Sequence, residues 1–207
     1  MNPQWLQWAK ALQAIAQNGL AYNKGKDSFD ILRYEDVRRI AAEMVAAHTG
    51  DDYAHVHDLL AAEKGHATPK VDVRGVVFRD DKILLVRERS DGLWTLPGGW
   101  ADPNESPAEA TVREVYEESG YRVRAVKLLA LYDRDRHGHP PHIYHIYKVY
   151  FLCELVGGEA TTSDETDGVD FFAEDSIPPL SLGRVTPALI SRFFAHHRHP
   201  EWPTDFD

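Results

Sequence analysis

Three glutamates stand at helical spacing in the segment VREVYEESG: Glu114, Glu117 and Glu118. Residues three and four apart are neighbours on a helix surface, so these carboxylates share one face and repel one another by a few tenths of a kcal/mol per pair. A hard divalent cation removes that repulsion, because Mg²⁺ takes carboxylate oxygens, water and phosphate oxygens as ligands. The row therefore suggests metal-assisted phosphate chemistry, although a solvated helix face with these charges is also possible.

The flanking residues predict a loop that leads into a helix carrying this row. Pro97, Gly98 and Gly99 indicate a turn, and Ser106 followed by Pro107 and Glu109 forms a capping box at a helix start. Gly120 is suited to end the helix. Its apolar face is predicted to consist of Ala108, Thr111, Val112 and Val115.

Taken together, these residues form a known signature. The chain has Gly99, then Glu105 after five residues, then Arg113-Glu114 after seven, followed by Glu117-Glu118 and Gly120. In order and spacing this resembles the signature box of the Nudix hydrolases, and Val115 fits its first apolar position. Tyr121 departs from the pattern, which usually has Ile, Leu or Val there.

The resemblance implies a Nudix α/β/α sandwich and a metal-dependent pyrophosphatase that uses Mg²⁺, with Mn²⁺ as a substitute. It implies Glu114 and Glu118 as metal ligands, Glu117 as a ligand or catalytic partner, and the carbonyl of Gly98 or its neighbour as a further ligand. Arg113 and Glu105 resemble the pair that orients these carboxylates.

The general base differs among members of the family. Some use a glutamate of the box and others a glutamate in a later loop, for which Glu165 is our choice, with Asp164 and Asp167 behind it. Acidic residues are also ordinary in turns, so a purely structural loop is the alternative.

Candidate substrate contacts lie outside the box. Residues 133–147 are rich in Arg and His, and Arg136 and His142 are hypothesised to bind phosphate or base; the alternative is a polar surface loop. Trp100 could stack on a base or pack in the core.

Two domains are expected. Residues 1–66 show helical periodicity and predict a small all-α domain, whereas the period changes to two from Val71, so residues 67–207 are expected to form the Nudix domain. The helical part resembles the N-terminal module of Nudix enzymes that cleave nucleoside diphosphates linked to a second group. Because so small a module buries little surface, we expect a homodimer.

Composition and charge argue against several classes of protein. The net charge of −10 disfavours extended binding to nucleic acid. No apolar run approaches the roughly 20 residues needed to span a membrane. A single cysteine, Cys153, fits a cytoplasmic location.

The leading hypothesis is hydrolysis of a nucleoside diphosphate linked to another moiety, with ADP-ribose or a similar nucleotide sugar as the substrate. CDP-choline is a close alternative. Removal of pyrophosphate from the 5′ end of RNA, cleaning of oxidised nucleoside triphosphates, and a catalytically silent nucleotide-binding module remain further alternatives.

Overall fold

The computed structural model describes residues 2–23 and 27–207, which form two compact units. One unit comprises the chain up to Pro69 together with Pro141–His145, and the other comprises Lys70–Pro140 and Ile146–Asp207. The predicted boundary between residues 66 and 67 remains a prediction. No helix in the described ranges is long and apolar enough to cross a membrane.

The first unit contains the helices α1 (Gln4–Tyr22), α2 (Ser28–Thr49) and α3 (Tyr53–Ala62). Apolar side chains from all three form its core. The helix α1 passes through Gly19 and continues to Tyr22. A Cβ atom on Gly19 would lie 2.3 Å from the ring of Tyr34, so this glycine permits close packing of α1 against α2.

The second unit is built on one mixed sheet. Its strands in the described chain are β1 (Lys70–Arg79), β2 (Lys82–Glu88), β3 (Trp94–Thr95), β4 (Tyr121–Asp133), β5 (Ile146–Gly158), β6 (Thr166–Phe172) and β7 (Asp205–Phe206). The order is β3-β2-β1-β5-β4-β7, and β6 pairs with β2. Central β1 and β5 run parallel, whereas β4 pairs antiparallel with β5.

Helices cover both faces of this sheet. Val115 of α4 (Pro107–Ser119) packs with Val77 and Leu84 on one face. Phe193 of α5 (Pro187–Arg198) packs with Val76 and other side chains on the opposite face. The predicted α/β/α sandwich with a helical N-terminal module is therefore confirmed.

The alternation along β1 does not separate buried from exposed side chains. Its polar residues Asp72 and Arg74 are buried, since the central strand is covered on both faces. The short strand β7 was not predicted. It lies beside β4, where Asp205 accepts a hydrogen bond from Tyr132 Oη at 2.9 Å.

Candidate active site

The predicted caps set the ends of α4. Ser106 Oγ accepts the amide N–H of Glu109 at 3.3 Å, and the carboxylate of Glu109 accepts the amide N–H of Ser106 at 2.9 Å. Gly120 has a φ of 74° and ends the helix in the left-handed conformation that favours glycine. The carboxylate row is thus carried by a helix with two defined ends.

Glu118 is the most enclosed carboxylate of the row, with 5% of its surface exposed. The amide N–H of Gly98 donates to its Oε2 at 2.9 Å, and Thr166 Oγ1 donates to its backbone carbonyl at 2.7 Å. Burial raises the pKa of Glu118 to about 8, and Arg74 and the Gly98 N–H only partly oppose this. The site therefore holds a carboxylate whose burial is only partly offset by positive charge.

Glu114 faces the same loop. A Cβ atom on Gly99 would lie 3.0 Å from Glu114 Oε2, so the helix and the turn are in contact here. Burial also raises the pKa of Glu114, against the lowering effect of Arg113. Two of the three predicted acidic residues thus converge on the Gly98–Gly99 turn.

Arg113 connects the row to the preceding loop. Its Nε donates to both carboxylate oxygens of Glu105, at 3.0 and 3.1 Å, so the expected contact is present. Its Nη1 donates to Glu114 and Glu117, at 2.9 Å each. Hydrogen bonding to Glu105 and then to the other carboxylates raises the pKa of Arg113. The guanidinium therefore neutralises part of the acidic face.

These residues fit a divalent cation by the chemistry of their donors. Carboxylate oxygens are the ligands of Mg²⁺, and burial disfavours the charged form of Glu118, which a bound cation would stabilise. In residues 2–23 and 27–207, no three His, Cys, Asp or Glu side chains already converge as a metal cluster. Arg113 lies between Glu114 and Glu117 instead.

Gly98 contacts the row through its backbone. Its N–H donates to Glu118, and ligation of a metal by its carbonyl stays a prediction. The neighbouring carbonyl of Gly99 accepts the amide N–H of Val73 at 2.8 Å.

The chain at Glu165 lies near the row. The next residue, Thr166, bonds the carbonyl of Glu118, and the carbonyl of Glu165 accepts the amide N–H of Arg89 at 2.8 Å. The side chain of Glu165 is exposed. Asp167 pairs with Arg87 at 2.6 Å, so its carboxylate is already engaged.

The predicted substrate contacts are spread over the molecule. Trp100 follows the turn and is 47% exposed, so it does not pack in the core. Arg136 is exposed, lies 3.6 Å from Asp133, and lines a cavity of about 450 Å³ with Tyr147 and Phe206.

His142 belongs to the helical unit, where its Nδ1 accepts the amide N–H of Tyr144 at 3.1 Å. The alternative interpretation of residues 133–147, a polar surface loop, does not apply to His139. This residue is buried, and its Nδ1 lies 2.8 Å from the carbonyl of Leu182.

A buried group of charges was missed at the sequence level. Asp72 and Arg74 on β1 and Lys148 on the neighbouring strand β5 are almost wholly buried. Arg74 donates to Asp72 through Nε at 3.0 Å and Nη2 at 2.9 Å, and Lys148 Nζ contacts Asp72 Oδ1 at 2.6 Å. The spacing of Asp72 and Arg74 by two, in a strand at the centre of the sheet, is the signal that could have revealed them.

Glu88 was also missed. It is buried at the end of β2 and pairs with Arg184 at 3.0 Å. Glu88 lies opposite Thr166 in the β2–β6 register, and burial raises its pKa. Sequence spacing gives no indication of this position.

Comparisons with known proteins agree with this architecture. Residues 3–60 match the family described as UDP-X-like, N-terminal oligomerisation domain, and residues 68–193 match the NUDIX domain. YjhB of Bacillus subtilis, provisionally named an ADP-ribose pyrophosphatase, is 47% identical over 100% of this chain and 99% of its own length.

Two solved structures are similar. An ADP-ribose pyrophosphatase from Streptococcus suis is 42% identical, with a TM-score of 0.63 over 68% of this chain and 100% of that chain. A UDP-X diphosphatase is 32% identical, with a TM-score of 0.64 over 98% of both chains. The predicted enzyme class, a Nudix pyrophosphatase, is thereby confirmed. With this signature, fold and N-terminal module, the chain belongs to the Nudix hydrolase family.

Proposed function

We propose that this enzyme hydrolyses the diphosphate bond of ADP-ribose or a similar nucleotide sugar with the help of Mg²⁺. The observation that carries the proposal is the buried carboxylate of Glu118 beside the Gly98–Gly99 turn. The substrate class is supported by the similar ADP-ribose pyrophosphatase from Streptococcus suis and by YjhB, provisionally given the same name, which aligns with the whole chain.

Glu114, Glu117 and Glu118 would hold the cation, which supplies positive charge to the phosphoryl oxygens and lowers the pKa of water. Glu105 holds Arg113, and Arg113 in turn orients Glu114 and Glu117. The Gly98 N–H fixes the rotamer of Glu118, so the row is arranged before the substrate arrives.

Glu165 is proposed to accept the proton of the attacking water, with Glu117 as the alternative. Support comes from its place beside Thr166, which bonds to Glu118. Trp100, Arg136 and His142 remain proposed substrate contacts, and Trp100 is the best supported because it is exposed beside the turn.

A UDP-linked substrate is the second candidate. The family description of residues 3–60 and the UDP-X diphosphatase that matches 98% of the chain favour it. CDP-choline has no such support among these relatives.

A substrate panel tests the proposal. ADP-ribose, UDP-glucose, CDP-choline, dGTP and 5′-triphosphorylated RNA would be incubated with Mg²⁺ and a coupled phosphatase, and kcat/KM compared. ADP-ribose is expected to give the highest value. A higher value for UDP-glucose would favour the second candidate, and turnover of RNA or dGTP alone would refute both.

We further propose that the helical unit forms a homodimer. Large apolar side chains are exposed on its helices, including Trp8 at 57% and Ile15 at 55% on α1 and Leu32 at 61% on α2. Such exposure is typical of interaction surfaces. It is consistent with the family description, which names an oligomerisation domain.

Sedimentation tests the dimer. The wild type is expected at about twice the chain mass of 23.5 kDa, and Trp8→Glu with Leu32→Glu at the monomer mass. Val156→Glu, which changes an exposed apolar side chain of the other unit, is the matched control. A monomeric wild type at micromolar concentration would refute this proposal.

A further inference from the structure

The buried side chain of Arg74 contacts the Gly98–Gly99 turn, which in turn contacts the acidic row. Its Nη1 donates to the carbonyl of Leu96 at 3.0 Å, one residue before Pro97. A Cβ atom on Gly98 would lie 2.8 Å from Arg74 Cα and 3.0 Å from Arg74 Cδ. The turn therefore packs directly against Arg74, and there is no room for a side chain at Gly98.

Backbone hydrogen bonds hold the same turn to β1. The amide N–H of Gly75 donates to the carbonyl of Pro97 at 2.9 Å, and that of Val73 donates to the carbonyl of Gly99 at 2.8 Å. Gly98 lies between these two bonds and points its own N–H at Glu118. The position of this N–H depends on the turn, and the turn is supported from below by Arg74.

Arg74 is itself held in one orientation. Asp72 accepts hydrogen bonds from Nε and Nη2 of Arg74, and this two-point contact fixes the plane of the guanidinium. Lys148 bonds the same carboxylate at 2.6 Å, so Asp72 is bonded by both neighbouring cations. All three side chains are buried, and a buried network with this many bonds is rigid.

Arg74 also acts on Glu118 by charge. It is the first cation to oppose the effect of burial on the pKa of Glu118, and Glu118 acts in turn on Arg74. Glu88 and Glu114 contribute like charges to the same carboxylate. Arg74 thus supports Glu118 both through the turn and through space.

We propose that Arg74, oriented by Asp72, is a positioning residue that places the Gly98 N–H and the carboxylate of Glu118 for metal binding. This inference rests on the proposed function, since it concerns the same acidic row. When residues that hydrogen-bond to metal ligands without binding the metal themselves are replaced, metal affinity or activity falls by about 10–100-fold.

Direct metal binding tests the proposal without substrate. Free Mn²⁺ would be measured by electron paramagnetic resonance in titrations of the wild type, Arg74→Lys and Arg74→Gln. Lysine keeps the charge but loses the two-point contact with Asp72, whereas glutamine leaves Asp72 paired with Lys148 and serves if the lysine variant does not fold. Both variants are expected to bind Mn²⁺ about 10-fold or more weakly.

Arg134→Lys is the matched control. Arg134 is equally buried and donates to backbone carbonyls, those of Pro140 and Gly183, but it does not support the turn. Its Mn²⁺ affinity is expected to stay within about two-fold of the wild type.

Kinetics separate positioning from a general loss of structure. At saturating metal, Arg74→Lys is expected to lower kcat about 10-fold while KM stays within about two-fold. Unchanged Mn²⁺ affinity in the folded Arg74 variants, or an equal loss in Arg134→Lys, would overturn the inference. A wild type that binds no Mn²⁺ would instead contradict the proposed function.

Discussion

Two charged networks in the sheet-containing unit have opposite electrostatics. The row on α4 combines three carboxylates with one guanidinium, that of Arg113. The network on β1 and β5 combines one carboxylate with two cations, all three buried. The row therefore has an excess of negative charge, whereas the network around Asp72 has an excess of positive charge.

The pKa values express this difference. Burial alone would raise the pKa of Asp72, but Arg74 and Lys148 outweigh burial and hold it well below its ordinary value. At Glu118 the effect of burial is larger than the opposing effects of Arg74 and the Gly98 N–H, so the pKa rises to about 8. We infer that the buried network stabilises the fold, while the row keeps unfavourable charge that a bound cation would relieve.

The largest effect on stability is expected from a change in the buried network. Asp72→Ala leaves Arg74 and Lys148 buried without their shared carboxylate, so the free energy of unfolding should fall by about 3–5 kcal/mol. Urea denaturation followed by circular dichroism measures the change. Asp58→Ala, at an exposed position of α3, should stay within about 0.5 kcal/mol. A loss below about 1 kcal/mol for Asp72→Ala would contradict the stabilising role of the network.

An effect of opposite sign is expected from the row. The folded pKa of Glu118 lies above its ordinary value of 4.5, so the folded state binds the proton more tightly. In metal-free protein the wild type therefore loses stability as the pH rises from about 4.5 to about 8. Glu118→Gln cannot titrate, and at pH 8 it should unfold at a Tm higher by at least about 2–4 °C, which corresponds to about 1 kcal/mol.

Thermal unfolding in EDTA at several pH values measures this difference. The advantage of Glu118→Gln should be small at pH 5 and grow toward pH 8. An advantage that is independent of pH would show that Glu118 carries no unfavourable charge.

The smallest effect is expected at Glu165. Because its side chain is exposed, Glu165→Gln changes neither burial nor packing. A bound cation would already lower the pKa of the attacking water, so the variant should lower kcat by no more than about 10²-fold, the lower end of general-base contributions, with KM unchanged. Asp164→Asn, the adjacent acidic position, should have no effect. Stopped assays under saturating Mg²⁺ measure both. No change in Glu165→Gln would remove it as the proposed base and leave Glu117.

The difference between the networks also explains what sequence reasoning could find. The row lies within one helix, where spacing, caps and the signature are all local, so α4 with Ser106 and Gly120 was predicted correctly. The contact between Arg113 and Glu105 was found for the same reason. The sandwich itself followed from the change of period and the signature.

The buried network depends on strand pairing over long distances. Asp72 faces Lys148 because β1 and β5 are neighbours in the sheet, 76 residues apart in the chain. Alternation in β1 alone indicates exposure of the polar residues unless both faces of the strand are known to be covered. For the same reason Glu88 was missed, since only the register with β6 brings it toward Glu118.

The most direct test of the account is hydrolysis of ADP-ribose in Mg²⁺, followed by ³¹P NMR, by the wild type and by Glu118→Gln. If the proposed function is right, the wild type converts the diphosphate signals into two phosphomonoester signals, those of AMP and ribose 5-phosphate. The variant should be slower by at least about 10³-fold, since it loses a carboxylate proposed to hold the cation. Wild-type protein that leaves ADP-ribose intact, or a variant as active as the wild type, would contradict it.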